Sequence, residues 1–395
     1  MSSSATIDGR GLAHGPFTEE HEALRASIRR WVETELAPHA EEWEAAGRFP
    51  DEVFRRAGEL GFLGLSMPED VGGAGGDYWA TVVLFEELPR SRTGSIPMAI
   101  GVQTDMATPP IAQFGTPEQV DAYLRPALAG ERIACLGITE PGAGSDVAGV
   151  ATRARRDGAD WVLDGEKVYI TNGVRADFVT LVARTAPRVD GDPWSGISLF
   201  LVDTDTPGFE VASELDKVGM RSSDTALLRL TDVRVPGDAL LGVEGEGFRQ
   251  IMWELQGERL VGAIGTVAGA QLTFERALAY TRQREAFGRP LTGFQVTRHA
   301  LVDMAADIEQ VRRLTYDCCD RWNRGVYATD LIAMCKLASA ELGFSIADRA
   351  LQLHGGHGYA AESEVSRSFR DSRLNRIGGG TDEVQREIVA KLLGL

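Results

Sequence analysis

The carboxylate best placed to do chemistry is Glu258, in the run Trp253-Glu-Leu-Gln-Gly-Glu-Arg-Leu260. Leu260, Ile264, Val267 and Ala270 follow at helical spacing, so the segment reads as a helix with one core-facing stripe. Interspersed glycines and alanines would let another group approach this helix closely. A carboxylate stripped of water there keeps its proton to higher pH and can serve as a general base. On spacing alone, however, Glu258 reads as a surface glutamate paired with Arg259.

Two polar turns suggest a slot for a flat, hydrogen-bonding molecule. Thr139-Glu-Pro-Gly-Ala-Gly-Ser-Asp146 holds two hydroxyls and two glycines that let backbone N–H groups reach a ligand. Thr171-Asn-Gly173 closes the strand-like Glu166-Lys-Val-Tyr-Ile170. Taken alone, the first loop reads as a structural turn. Arg282-Gln-Arg-Glu-Ala-Phe-Gly-Arg-Pro290 interrupts a helical region with arginines that suit an anion such as a pyrophosphate; a solvated helix–helix loop is the plain reading. Arg376-Ile-Gly-Gly-Gly-Thr-Asp-Glu383 leads into a helix capped by Thr381, whose free N–H groups suit an anion, or simply form an N-cap.

Several motifs fail. No phosphate-cradling G-x-x-x-x-G-K-[ST] run exists, and Val147 stands where a dinucleotide fingerprint needs its third glycine. His354-Gly-Gly-His357 straddles two helix breakers, so it reads as a helix C-cap with Gly355 or Gly356 left-handed, and no metal is expected. Cys135, Cys318, Cys319 and Cys335 lack metal-ligand spacing and read as buried reduced thiols. The net charge of −17 argues against nucleic-acid binding. The uncharged stretch from Leu260 to Leu272 is too short to span a bilayer, and the first residues lack a secretion signal. A cytoplasmic protein without membrane insertion is expected.

The elements that must position these residues fall into three blocks. After an extended or disordered N-terminus (1–16), residues 17–132 read as helical, with Leu24, Ile28, Trp31 and Leu36 in phase until Pro38 breaks the run. Residues 133–238 alternate with period two; Asp164-Gly165 reads as a hairpin turn, and the scarcity of intervening helices predicts an antiparallel sheet. Residues 239–395 return to helices, with Leu301, Met304, Ile308, Val311, Thr315, Cys318 and Trp322 forming a bundle seam.

In this order the segments resemble the acyl-CoA dehydrogenase family of flavoproteins, from about Phe17 to Leu393. The carriers are Pro68-Glu-Asp-Val-Gly-Gly73, Thr139–Asp146, Lys167-Val-Tyr-Ile-Thr-Asn-Gly173, Arg284-Glu-Ala-Phe-Gly288, Gln352-Leu-His-Gly-Gly-His-Gly-Tyr359 and Gly379-Gly-Thr381. The resemblance implies an α+β multidomain fold: an N-terminal helical domain, a central antiparallel β-barrel-like domain and a C-terminal four-helix bundle domain. It implies FAD, with Leu136, Ile138, Thr139, Gly144, Ser145, Tyr169 and Thr171 at the flavin. Tyr169 stands where the family usually has tryptophan. Arg284, Phe287, Phe294, Gln295, Gln352, Gly355 and Gly356 would meet the FAD of a neighbouring subunit, and Thr381 and Glu383 the diphosphate in the same one. Ser145, Gln256, Arg259 and Gly380 would meet the substrate, an acyl-CoA or a carrier-protein thioester. The implied partners are an electron-transfer flavoprotein and further copies of the chain, most often as a homotetramer.

Many members of that family place the catalytic glutamate immediately before the Gly-Thr of the C-terminal motif. Here that place holds Gly379. The isovaleryl-CoA and long-chain members carry a glycine there and a glutamate in a Glu-Arg-Leu motif on an earlier helix, which is Glu258-Arg259-Leu260 in this chain. The resemblance therefore implies Glu258 as the base, with Glu254 one turn earlier in reserve, and the N–H of Gly379 as a donor to the thioester oxygen. The implied reaction is dehydrogenation of an acyl thioester to its 2,3-enoyl product. An oxidase using O2, or a non-catalytic flavin- or acyl-CoA-binding paralogue, would carry the same scaffold.

Overall fold

A computed structural model describes residues 16–395; apart from Pro16, the N-terminus expected to be extended or disordered lies outside them. Helix α1 (Glu19–Trp31) starts where the Thr18 hydroxyl accepts from the His21 N–H at 3.4 Å. The in-phase run ends at Leu36, just before Pro38, as expected. A π-helical turn (Val32–Leu36) and a 3-10 turn (Ala37–His39) carry the chain into α2 (Ala40–Ala46), with the proline near the start of the 3-10 turn. There its missing N–H costs no helical bond. Then come α3 (Glu52–Glu59) and α4 (Tyr78–Glu87), the latter buried on nearly all sides, then α5 (Ser95–Gly101) with a π turn (Val102–Ala107). Short helices α6 (Pro109–Phe114), α7 (Pro117–Gln119) and α8 (Arg125–Leu128) lead to the strands.

The central strands are β1 (Ala134–Gly137), β2 (Arg153–Asp157), β3 (Asp160–Thr171), β4 (Phe178–Arg184), β5 (Ile197–Asp203), β6 (Phe209–Glu214), β7 (Thr225–Val235) and β8 (Leu240–Leu241). They pair in the order β6-β7-β3-β2-β4-β5-β8, with β1 beside β4. The sheet is mixed, because β1 and one end of β2 run parallel to β4; the purely antiparallel expectation fails at these two pairings. Asp164-Gly165 is no hairpin turn either. The hairpin closes at Gly158-Ala159, between the paired Asp157 and Asp160. Gly165 forms a bulge inside β3, because Thr152 presses against its α-carbon: a methyl there would sit 2.4 Å from Thr152 Oγ1.

Helix α9 (Gly247–Gln283) is 37 residues long and packs against α10 (Gln295–Asn323) and α11 (Thr329–His354). A small hairpin, β9 (Glu285–Ala286) and β10 (Arg289–Pro290), joins α9 to α10. Helices α9 and α11 run parallel: Thr266 meets Gly343, and further along the Tyr280 ring stacks on His354 at 4.2 Å. Helices α12 (Gly356–Tyr359), α13 (Glu364–Ser372) and α14 (Asp382–Leu392) complete the chain. The expected stripe on α9 and the α10 seam are buried or half-buried along their lengths. One core joins α1 and α3–α5 to Leu260, Ile264, Cys318 and Ile332 of the bundle. All four cysteines are buried and free.

One side chain ties the three regions together. Asp371 of α13 accepts from the N–H of Gly94, before α5, at 2.9 Å, and from that of Met220, before β7, at 2.6 Å. Among the described residues no helix is long and apolar enough to cross a membrane.

Candidate active site

Glu258 sits about three turns into α9 and faces the turn that precedes α14. Gly379 and Gly380 of that turn have φ of +66° and +92°, a region glycine enters without strain. A methyl on Gly379 would lie 3.2 Å from Glu258 Oε1, and one on Gly380 2.8 Å from Gln385 Nε2. The carboxylate thus occupies the space beside the missing side chain. Three side chains pin the turn. The Gly379 carbonyl accepts from Arg259 Nε and Gln385 Nε2, both at 3.1 Å. The Gly380 carbonyl accepts from Lys336 Nζ at 2.5 Å and from Gln385 Nε2 at 3.1 Å. Thr381 caps α14, its hydroxyl accepting from the Val384 N–H at 3.3 Å, as expected. Lys336 and Gln385 escaped the sequence reading. A lone lysine amid the apolar Leu331-Ile-Ala-Met-Cys-Lys-Leu-Ala338 was the available signal.

Burial pushes the Glu258 carboxyl above the usual glutamate range, and the neighbouring Arg259 and Lys336 cations limit the rise. Burial also lowers the Lys336 ammonium to about 8, against the opposing pull of Asp382. Glu254, one turn earlier, is only 2 % exposed and neither carboxyl oxygen has a hydrogen-bond partner. Its pKa lies well above the ordinary value, first through desolvation and then through the Glu258 charge. Of the pair, Glu258 therefore ionises first. Asp105 is raised to about 7 by burial, against a hydrogen bond from the Thr104 hydroxyl. Gln256 is buried on another side of α9, where its amide donates to Met252 O at 3.1 Å. Its amide oxygen is buried without a hydrogen-bond partner.

On the sheet side, Glu140 anchors the Thr139–Asp146 loop from beneath. Its carboxylate accepts from the N–H groups of Ala151 (2.6 Å) and Thr152 (2.9 Å) and from Lys167 Nζ (2.8 Å). Lys167 is fully buried, and desolvation lowers it to about 8 despite this partner. Val168 N–H donates to Thr139 O at 2.9 Å, fastening the loop to β3. Above this anchor the loop is open: Ser145 is exposed, and a methyl on Gly142 or Gly144 would meet nothing within 4 Å. Leu136 and Ile138 pack against the core shared by the sheet and helices α6, α8 and α9. Tyr169 stands at a bulge of β3 with φ +62°, and its side chain is 69 % exposed. A bulky residue seldom adopts that backbone. Thr171 is half-buried beside it, and Asn172 donates to Ala99 O at 3.0 Å.

The remaining candidates lie elsewhere. Arg284, Phe287, Phe294 and Gln295 sit on or beside the β9–β10 hairpin, whose turn, Phe287 (φ +52°) and Gly288 (φ +76°), leaves Phe287 almost wholly exposed. Gln352, Gly355 and Gly356 lie at the end of α11, which the Tyr280–His354 stack holds at the same end of the bundle. Gly355 has φ +58° as the C-cap reading requires, though its ψ of −139° is outside the left-handed helical well. Glu383 is exposed in the first turn of α14. Along α9, about 39 Å separates Glu258 from Arg284. One turn beyond Glu258, a cavity of about 150 Å³ begins at Val261 and Gly262 and follows α9 away from the pinned turn.

Three family models match in succession: the acyl-CoA dehydrogenase N-terminal domain over residues 18–131, the middle domain over 135–233 and the C-terminal domain over 245–394. The mouse (Mus musculus) mitochondrial long-chain specific acyl-CoA dehydrogenase is 39% identical over 95% of this chain and 86% of its own. A Mycobacterium smegmatis structure described as an acyl-CoA dehydrogenase is 44% identical, with a TM-score of 0.93 over 96% of this chain and 98% of its own. The glutaryl-CoA dehydrogenase of the same organism, solved in complex with FADH2, is 31% identical, with a TM-score of 0.89 over 95% of each chain. The chain belongs to the acyl-CoA dehydrogenase family.

Proposed function

We propose that this member of the family removes the α-proton and a β-hydride from an acyl-CoA thioester, with Glu258 as the base and FAD as the acceptor. The observation that carries the reading is the fit between Glu258 and Gly379: the carboxylate fills the space that a side chain on the turn would need. FAD supplies, when bound, the hydride acceptor and a ring against which the substrate lies. The open side of Gly142 and Gly144, the exposed Ser145 hydroxyl and the Tyr169 ring standing clear of the sheet suit a flat ring system. Thr139, Ser145, Tyr169 and Thr171 would hold it, with Thr381 and Glu383 at its diphosphate.

Proton removal and polarisation of the thioester fall to this chain's own groups. Glu258 takes the α-proton, and its raised proton affinity strengthens it as a base near neutral pH. Arg259, Lys336 and Gln385 hold the carbonyls of the turn, which fixes the Gly379 N–H that would donate to the thioester oxygen as charge develops there. Arg284, Gln352 and Gly356 lie at the far end of the bundle, beyond the reach of a dinucleotide seated against Glu258. They would serve the site of a second copy, so the active form is a homo-oligomer. An electron-transfer flavoprotein would reoxidise the cofactor.

The test is anaerobic mixing of the cofactor-bound protein with straight, branched and aromatic acyl-CoAs. Bleaching of the flavin absorbance by at least one thioester, absent in Glu258→Gln that still holds its cofactor, is the expected result. Full bleaching in that variant overturns the base assignment. Peroxide formation in air without an added acceptor would redirect the electrons to O2.

A further inference from the structure

The cavity beyond Glu258 poses a question about its glycines. Gly262, Gly265 and Gly269 lie on the face of α9 that lines it, roughly in phase with Glu258. Glycine weakens a helix interior relative to alanine. At Gly343 the helix pair demands it, since a methyl there would sit 2.6 Å from Thr266 Cγ2. Nothing comparable holds at the α9 positions. A methyl on Gly262 or Gly269 would meet nothing within 4 Å, and one on Gly265 only Phe85 O at 3.9 Å. The packing of the protein does not need these glycines; what they keep clear is the cavity itself.

The walls show what the space suits. Phe85 and Met98 line it with the glycines, alongside the polar Asp371, Ser372 and Asn375. Thr266 and Thr273 also line it, but their hydroxyls donate back to Gly262 O (2.7 Å) and Gly269 O (2.8 Å), so neither O–H is free for a ligand. From Glu258 to Thr273 the helix covers about 22 Å. The far end is different. Arg92 and Arg276 line it and share Glu364, at 3.3 and 2.7 Å, and the Arg92 side chain is 52% exposed. Solvent reaches that end.

We propose that the site takes long-chain acyl thioesters, with the tail lying along the glycine face of α9 in a channel that opens to water beside Arg92, so that a polar group at the tail's end is accepted. This deepens the dehydrogenase reading and rests on it for the position of the thioester. It is tested by binding rather than turnover. Calorimetry on cofactor-bound protein carrying Glu258→Gln, which leaves the ligand unconsumed, would compare butanoyl-CoA, palmitoyl-CoA and 16-hydroxypalmitoyl-CoA. Palmitoyl-CoA is expected to bind at least ~10-fold tighter than butanoyl-CoA. The hydroxylated tail is expected within about threefold of palmitoyl, whereas a sealed apolar end would cost about 5- to 150-fold. Gly269→Leu, about 16 Å along the helix from Glu258, removes the long-chain gain. Gly269→Ala raises the melting temperature and removes part of it, which guards against a folding defect in the leucine variant. Equal affinities for the short and long thioesters, long-chain binding unchanged by both variants, or a penalty above about fivefold for the hydroxyl would each overturn the proposal. Tight long-chain binding without flavin bleaching in the unsubstituted protein would sink the dehydrogenase reading and leave the channel standing.

Discussion

The turn at Gly379-Gly380 and the loop from Thr139 to Asp146 both rely on glycine, for opposite reasons. In the turn, glycine is needed because the backbone is left-handed and the space is tight: Glu258 and Gln385 end 3.2 and 2.8 Å from where methyl groups would sit. Arg259, Lys336 and Gln385 hold its carbonyls. In the loop, glycine faces open space, and the anchoring pair of Glu140 and Lys167 lies beneath it. The first region is organised by the chain alone. The second is a foundation with its upper face left for a ligand. Acid–base chemistry gains from a base fixed in advance, while a cofactor cradle completes itself on binding.

Substitutions can break this contrast, and the largest effect falls on the base. Glu258→Gln is expected to lower the rate of flavin reduction by about 10²- to 10⁴-fold while cofactor content stays at the unsubstituted level. Stopped-flow absorbance checks it; a change below tenfold would remove Glu258 from the role. Next come the pins. Lys336→Met leaves the Gly380 carbonyl with one donor and is expected to cost about 1–3 kcal/mol of stability by denaturant titration. Gly379→Ala, forced into a left-handed backbone against Glu258, is expected to cost about 1–2 kcal/mol. In the cofactor-free protein, Gly142→Ala is expected to be neutral or to stabilise by up to about 1 kcal/mol, and to weaken FAD binding. Equal stability losses for the two glycine variants would erase the distinction between the regions.

The smallest expected effect is on the pH profile. The base must be ionised, and its folded pKa is raised, so kcat/KM should fall as pH drops through a value above the ordinary glutamate range. For stability the sign is reversed. Glu254 binds its proton more tightly folded than unfolded, so its contribution is present below the unfolded pKa and is lost as pH rises toward the raised value. Glu254→Gln should flatten that dependence in melting curves taken across this range. An unchanged slope would mean that water reaches the carboxyl.

The facing pair of Glu258 and Gly379 was legible because two departures from a familiar pattern compensate each other, and Thr381 because a cap announces itself locally. The α10 seam followed from periodicity alone. What stayed hidden depends on contacts distant in sequence. Asp164-Gly165 has the composition of a hairpin turn, but the approach of Thr152 makes it a bulge and moves the turn to Gly158. Pro38 does mark the end of the in-phase run, but the 3-10 turn that holds it leads straight into α2, which no local signal announced. Lys336 and Gln385 gain meaning only when α11 and α14 meet the turn, a juxtaposition without local signature.

The clasp at Asp371 has a consequence for modularity. One carboxylate of the bundle takes an N–H from the helical layer and another from the sheet region, so both of those regions owe a satisfied backbone donor to the bundle. A central segment transplanted from a relative would keep its footing only if it delivered a backbone donor at position 220. A truncation that removed α13 would orphan two N–H groups in regions it never touched in sequence.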